Sequence, residues 1–247
     1  MLSDFFTQHP KVAVAFSGGV DSAYLLYAAK QSGAQVTAYY VKTPFQPHFE
    51  YDDAVKLSAQ LDVPLQVIAL DVLADETISQ NPKNRCYFCK KRIFSAILEQ
   101  ARADGFSVIL DGTNASDDVS DRPGMQALQE LGILSPLREW GLTKQEIRKR
   151  SQEAGLFTYD KPAYACLATR FPTGMTITAQ QLAAAERSET FLKKLGFSNY
   201  RVRFLGDCAR IQIPEQQFSL LLQHRQAILT QLKQDYNAVL LDLEVRP

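Results

Sequence analysis

Residues 17–22 read Ser-Gly-Gly-Val-Asp-Ser, between the apolar run 12–16 and a helical pattern that starts at once. Glycines let backbone N–H groups approach an anion, and a helix N-terminus adds partial positive charge. Ser17 and Ser22 add hydroxyl donors. The Gly-Lys-Ser/Thr ending of a Walker A loop and the spacing of a dinucleotide fingerprint are both absent. Asp21 would repel a phosphate unless a cation intervenes, so a divalent ion such as Mg²⁺ is expected between Asp21 and the phosphate oxygens. A plain Gly-Gly turn with a helix cap is the alternative, and it makes the aspartate and the paired serines a coincidence.

The cysteines are the second set of reactive groups. Cys86 and Cys89, at i and i+3 of a helical stretch, put two thiols on one face, and a helix N-terminus favours thiolates. Such a pair is also a redox motif, so a metal reading needs a third ligand. Cys166 in "KPAYACLATRFP" is the candidate. A structural zinc would want a fourth protein ligand, and His9, His48 and His224 stand in no ligand-like spacing. Cys208, between two expected strands, reads as an inert thiol. Lys161 and Arg170 flank Cys166, where cations would lower the thiol pKa and attract an anionic nucleotide; ordinary loop charge is the alternative. "DGTNASDD" places Asp111, Thr113 and Asn114 just after an expected strand, and Arg122 beyond them is a candidate phosphate contact. Arg201, Arg203 and Arg210 alternate on an expected strand pair, either as a phosphate patch or as a solvated sheet face.

The elements that must position these groups follow from the pattern. Strand-like "KVAVAFS", "AQVTAYYV", "PLQVIAL" and "FSVILDGTN" alternate with helix-like "DSAYLLYAAKQSG", "FEYDDAVKLSAQLD" and "CYFCKKRIFSAILEQARADG". Such alternation predicts a parallel sheet covered by helices on both faces. In a doubly wound sheet, ligands bind outside the carboxyl ends of the strands, so residues 111–114 should fall near 17–22. "LTKQEIRKRSQEAGL" is a further helix, with Thr143 and Glu146 spaced as a capping box. A long helix over "TAQQLAAAERSETFLKKLGF", a strand pair "YRVRFL" and "ARIQIP", and a closing strand "AVLLDLEV" complete the chain. We therefore expect an α/β domain over residues 1–165 and a small α+β substrate or oligomerisation domain over 176–247.

Composition excludes several classes. Lys plus Arg and Asp plus Glu balance at 27 each, which argues against a dedicated nucleic-acid binder. No apolar run approaches the roughly 20 residues of a membrane span. The start "MLSDFFTQHPK" lacks the features of a signal peptide, so a cytoplasmic protein with reduced thiols is expected.

"SGGVDS" resembles the PP-loop of the N-type ATP pyrophosphatases, which cleave ATP to AMP and pyrophosphate. The resemblance implies that residues Ser17, Gly18, Gly19, Val20, Asp21 and Ser22 hold the pyrophosphate, with Mg²⁺ present. "LDGTNASDD", "RPGMQALQELGILSPL", "GLTKQEIRK", "KPAYACLATRFPTG" and "RVRFLGDCARIQIP" follow in order. Over residues 10–244 the chain is similar to the LarE family, the ATP-dependent sulfur transferases that build the nickel-pincer nucleotide cofactor. That resemblance turns the turn carrying Thr113 and Asn114 toward the nucleotide and makes Cys166 the carrier of the reactive sulfur. One branch of the family sacrifices this sulfur and leaves dehydroalanine. Another holds a 4Fe-4S cluster on three cysteines, which Cys86, Cys89 and Cys166 match; its open iron binds an extra sulfide. The implied substrate is a pyridinium mononucleotide, the implied partner a sulfide donor, and the implied assembly a homo-oligomer.

Two positions depart from the family. Gln212 stands where an acid often follows "ARI", which puts a metal role there in doubt. The chain stops at "LDLEVRP", where relatives usually continue with a Gly-Tyr-Arg-rich tail. Two other functions compete: a tRNA thiolase of the PP-loop superfamily, and a non-enzymatic ATP-binding iron–sulfur module. Balanced charge and the absence of paired CxxC ribbons stand against the tRNA reading.

Overall fold

The computed structural model describes residues 2–117 and 123–246. Arg122 lies outside them. The first stretch runs α1 (Leu2–Gln8), β1 (Lys11–Ala15), α2 (Val20–Gln31), β2 (Gln35–Lys42), α3 (His48–Leu61), β3 (Leu65–Ala69), α4 (Glu76–Ser79), α5 (Arg85–Ala103) and β4 (Val108–Leu110). Then come α6 (Pro123–Glu130), α7 (Pro136–Glu139), α8 (Lys144–Glu153), a 3-10 turn (Leu167–Arg170), α9 (Ala179–Lys194), β5 (Arg201–Leu205), β6 (Cys208–Gln212), α10 (Phe218–Gln223), α11 (Arg225–Leu232) and β7 (Ala238–Leu241). The chain divides into two compact units, residues 1–72 with 84–163, and residues 73–83 with 164–247.

In the first unit the four expected strands form one parallel sheet in the order β3-β2-β1-β4. Side chains alternate across a strand, and β1 uses both faces. Val12 and Val14 enter a core with Leu25 and Leu26 of α2 and Ile147 of α8. Ala13 enters the opposite core with Phe94, Ile97 and Leu98 of α5. Two apolar faces on the central strand are what a doubly wound α/β fold requires, because helices must cover both. From β1 the chain steps outward to β2 and β3, then returns to β4 on the other side of β1. The carboxyl ends of β1 and β4 therefore flank the point where the winding reverses, the usual ligand crevice of such sheets.

In the second unit β5 and β6 pair antiparallel, and β6 pairs parallel with β7. Leu182, Ala185 and Leu192 of α9 are buried, and Phe204 of β5 stacks on Phe171 with ring centroids 4.7 Å apart. Residues 73–83 belong to this unit through backbone bonds: Gly174 donates to the Asn81 carbonyl at 2.8 Å, and Ile177 to that of Ser79 at 2.7 Å. Among the described residues, no helix is long and apolar enough to cross a membrane.

Several boundaries differ from the expectation. β4 ends at Leu110, because Asp111 and the residues after it turn their polar groups onto one another. β7 ends at Leu241, where Asp242 instead accepts from Glu244 N at 3.1 Å. Cys208 opens β6 rather than lying between strands, opposite Leu205. Helices α1, α4, α6, α7, α10 and α11 were not marked by the pattern; each has eight residues or fewer, too short a window to establish a 3.6-residue period.

Candidate active site

The loop after β1 is built for close approach. Gly18 adopts φ of +71°, and a Cβ there would lie 2.9 Å from the Glu50 carbonyl oxygen of α3. Only glycine accepts both constraints. Ser17 and Ser22 brace the loop across its width, their hydroxyls 3.1 Å apart, and the Ser17 amide donates to Ser22 Oγ at 3.3 Å. Val20 is buried in the core, so its backbone alone faces the loop's concavity. Lys161 reaches the loop from the far end of the unit: its ammonium donates to the Gly18 carbonyl at 3.0 Å and pairs with Asp53 at 2.6 Å. Lys161, five positions before Cys166 in sequence, is thus fastened to the phosphate loop.

The segment after β4 meets this loop edge-on. A Cβ on Gly112 would sit 2.8 Å from the Ser22 amide nitrogen, so only glycine permits this contact. Ser17, Asp21, Ser22, Asp111, Thr113 and Lys90 line a cavity of about 270 Å³ at the β1–β4 crevice. Asp111 is buried; Ser135 Oγ donates to it at 2.5 Å, and Thr113 Oγ1 donates to its other oxygen. Asn114 follows in the same segment. Its side-chain oxygen accepts from Ser116 N at 2.8 Å, shaping the turn from outside the cavity lining.

Asp21 forms an ion pair at the edge of the loop. Lys144 Nζ lies 2.5 Å from its Oδ2, while Oδ1 is buried and, among the described residues, has no hydrogen-bond partner. An orphaned carboxylate oxygen beside a phosphate-type loop fits a hard cation, which takes oxygen ligands, so the residues present fit Mg²⁺. Lys144 lies in "GLTKQEIRK", a helix start and a motif of the family resemblance, but its side-chain direction is set by tertiary packing and has no signal in the pattern.

Cys86 is exposed and Cys89 half-buried, both in the opening turns of α5, with the Arg85 guanidinium donating toward Cys86 Sγ at 3.8 Å. Cys166 lies in the second unit. Among the described residues no three His, Cys, Asp or Glu side chains are gathered as a metal site.

Within that second unit, Cys166 caps the 3-10 turn Leu167–Arg170 and is half-buried. Arg170 was expected to bind nucleotide; the structure instead buries it, with Nε and Nη2 each donating to Glu189 at 2.8 Å. Its Nη1 donates to the carbonyls of Ala165 at 2.8 Å and Cys166 at 3.3 Å. Burial alone would lower the Arg170 pKa, but the Glu189 hydrogen bonds and charge outweigh it and raise the pKa. Glu189 also accepts from Tyr164 Oη at 2.5 Å and Val202 N at 2.9 Å, so it is the hub that fixes the Cys166 loop.

Arg201, Arg203 and Arg210 share one face of the small sheet, with Arg203 directly opposite Arg210. Burial first, and then the Arg170 charge, pushes the pKa values of Arg201 and Arg203 down. Gln212 links two of the surrounding charges: its amide oxygen accepts from Arg203 Nε at 2.6 Å, and its amide nitrogen donates to Asp242 at 2.7 Å. An acid at 212 could not donate to Asp242 when ionised. That bond is the main reason the Asp242 pKa is lowered.

The family model for the tRNA methyl transferase HUP domain matches residues 10–116, which hold the sheet and the phosphate loop. The pyridinium-3,5-bisthiocarboxylic acid mononucleotide synthase of Lactiplantibacillus plantarum is 35% identical over 94% of this chain and 86% of its own length. An uncharacterized protein of Synechocystis is 36% identical over 90% of this chain and 83% of its own. The tRNA-specific 2-thiouridylase MnmA of Desulfosudis oleivorans is 30% identical, but over 61% of this chain and 49% of its own length. With the family model matched over the loop and the sheet, and 35% identity extending over 94% of the chain, the chain belongs to the LarE family of PP-loop, ATP-dependent sulfurtransferases.

Proposed function

We propose that the enzyme activates a carboxylate of a pyridinium mononucleotide with ATP and converts it to a thiocarboxylate. The observation that carries this reading is the meeting of the phosphate loop with an Asp21 oxygen that is buried and, among the described residues, unpartnered, at the β1–β4 crevice. A carboxylate is unreactive toward sulfur until one oxygen becomes a good leaving group. In the first step a substrate carboxylate oxygen attacks the α-phosphorus of ATP, and pyrophosphate leaves. The backbone N–H groups of residues 18–22 and the dipole of α2 hold the departing charge. Mg²⁺ bound at Asp21 would neutralise phosphate charge. In the second step a sulfur nucleophile adds to the carbonyl carbon of the acyl-adenylate, and collapse expels AMP. The arginines of the second unit offer cationic donors for the mononucleotide's own phosphate.

Two sulfur sources are compatible with these residues. A 4Fe-4S cluster on Cys86, Cys89 and Cys166 would supply sulfide from its open iron, replenished by an external sulfide donor. Otherwise the Cys166 thiolate attacks, forming a thioester as AMP leaves. Loss of the Cys166 α-proton then breaks its Cβ–S bond, leaving thiocarboxylate on the substrate and dehydroalanine in the chain.

The test is pyrophosphate release by anaerobically prepared protein against a panel of carboxylated pyridinium mononucleotides and tRNA. We expect release with a mononucleotide, none with tRNA, and none from a folded Asp21→Asn variant. Iron bound to the wild type and lost in Cys86→Ala, Cys89→Ala and Cys166→Ala, but retained in Cys208→Ala, supports the cluster. Protein lacking iron and lighter by H₂S after turnover selects the sacrificial route. Release with tRNA alone replaces this reading with that of a tRNA thiolase, the activity named for the partial matches. Release with neither points to an ATP-binding module.

A further inference from the structure

Lys144 is the first residue of α8, and two features fix its backbone. The capping box of Thr143 and Glu146 sets the helix start, and the Lys144 amide donates to Ser116 Oγ at 2.9 Å. From this anchored position the ammonium crosses to Asp21 Oδ2 at 2.5 Å. Neither partner is sealed from water: the side chains remain 33% and 22% exposed. Among the described residues, one carboxylate thus carries an ion pair on one oxygen and an unmet acceptor on the other. Asp111 and Asp117 also line the adjoining cavity, so a polyphosphate entering it approaches several acids.

Asp21 can face that polyphosphate only if a cation covers it. Lys144 covers it now. A divalent ion arriving with the phosphates is the stronger competitor for hard carboxylate oxygens, and the Asp21 side chain is accessible enough to exchange the lysine for it. Once displaced, the lysine ammonium stays near the loop on a flexible four-carbon stem. It keeps three donors and lies beside an incoming anion of several charges.

We propose that Lys144 is a ligand of the pyrophosphate portion of ATP, held on Asp21 until the metal–nucleotide complex enters. It thereby distinguishes a triphosphate from a monophosphate. The inference rests on the ATP-dependent reading above and adds a specificity-determining residue to it. Lys144 exchanges one ionic partner for another, with no bond made or broken.

Calorimetric titration tests it, using Mg²⁺ with α,β-methylene-ATP, which resists cleavage at the relevant bond, and AMP as the comparison. Wild type, Lys144→Met and Lys144→Arg are compared, with melting curves to establish folding. Lys144→Met should lose about tenfold or more in affinity for the analogue, the scale of one charge-assisted hydrogen bond, and change by less than about twofold for AMP. Lys144→Arg, which keeps the charge, should fall between, and carries the test if the methionine variant does not fold. Electron paramagnetic resonance of Mn²⁺ without nucleotide gives a second readout: Lys144→Met should hold Mn²⁺ more tightly than wild type. Unchanged analogue affinity, or equal losses for the analogue and AMP, would overturn phosphate ligation. Unchanged Mn²⁺ binding would overturn the exchange on Asp21. A wild type that binds neither nucleotide would bring down the ATP reading itself, and the inference with it.

Discussion

At the scale of single residues, the Arg170–Glu189 pair shows how the Cys166 loop is held. Both side chains are almost wholly buried, at 0% and 4% exposure. Two charges withdrawn from water hold together only while each has the other and further hydrogen bonds. Glu189→Gln removes one charge and leaves the guanidinium unpaired in the interior. The expected cost is about 3–5 kcal/mol, read as a lowered denaturant midpoint. Cys166 should also react faster with a thiol reagent, since the Arg170 bonds to the 165 and 166 carbonyls depend on that pair. A loss below about 1 kcal/mol with unchanged thiol reactivity would show that the pair does not hold the loop.

At the scale of elements, the site depends on how closely the ends of β1 and β4 meet. Gly112 lets the segment after β4 lie against the first turn of α2. Gly112→Ala would place a methyl group against backbone rather than a flexible side chain, so the loop must shift. Overpacking of this kind costs about 1–3 kcal/mol. Its larger effect should fall on nucleotide affinity, measured by titration with α,β-methylene-ATP. Helix α8 acts on the same loop from the other side: Lys144 pairs with Asp21, while one turn later Arg148 donates to the carbonyls of Tyr159 at 2.6 Å and Lys161 at 2.7 Å. Lys161 in turn reaches the Gly18 carbonyl, so one short helix supports the phosphate loop by two routes.

At the scale of the whole molecule, the tyrosines give a titration that reports on folding. Tyr39, Tyr40, Tyr164, Tyr200 and Tyr236 all have raised pKa values, in each case chiefly because burial opposes the phenolate. Tyr200 is pushed up to about 12. A folded pKa above the unfolded value of about 10 means that the native state holds the proton more tightly. The stability this confers is complete below pH of about 10 and is lost as pH rises through the folded values. Absorbance of phenolate from these five should therefore rise only well above pH 10 or on unfolding. A single phase accounting for all ten tyrosines near pH 10 would contradict their burial.

The residue order by itself determined the α/β class, the four strands of the parallel sheet and the phosphate loop. Each rests on local rules: an apolar run long enough to be a buried strand, glycines where backbone must approach, a capping box whose Thr143 and Glu146 lie three residues apart. It also held, through near full-length similarity, the family. What only the tertiary structure decided are contacts between residues far apart in the chain. Lys144 meets Asp21 across 123 positions, Lys161 meets Gly18 across 143, and Arg170 turns inward to Glu189 instead of outward to a ligand. Charged side chains with long stems carry no periodic signature of their partner. Their direction is chosen by which buried carboxylate or carbonyl would otherwise stand unpaired, and that is settled only when the elements have packed.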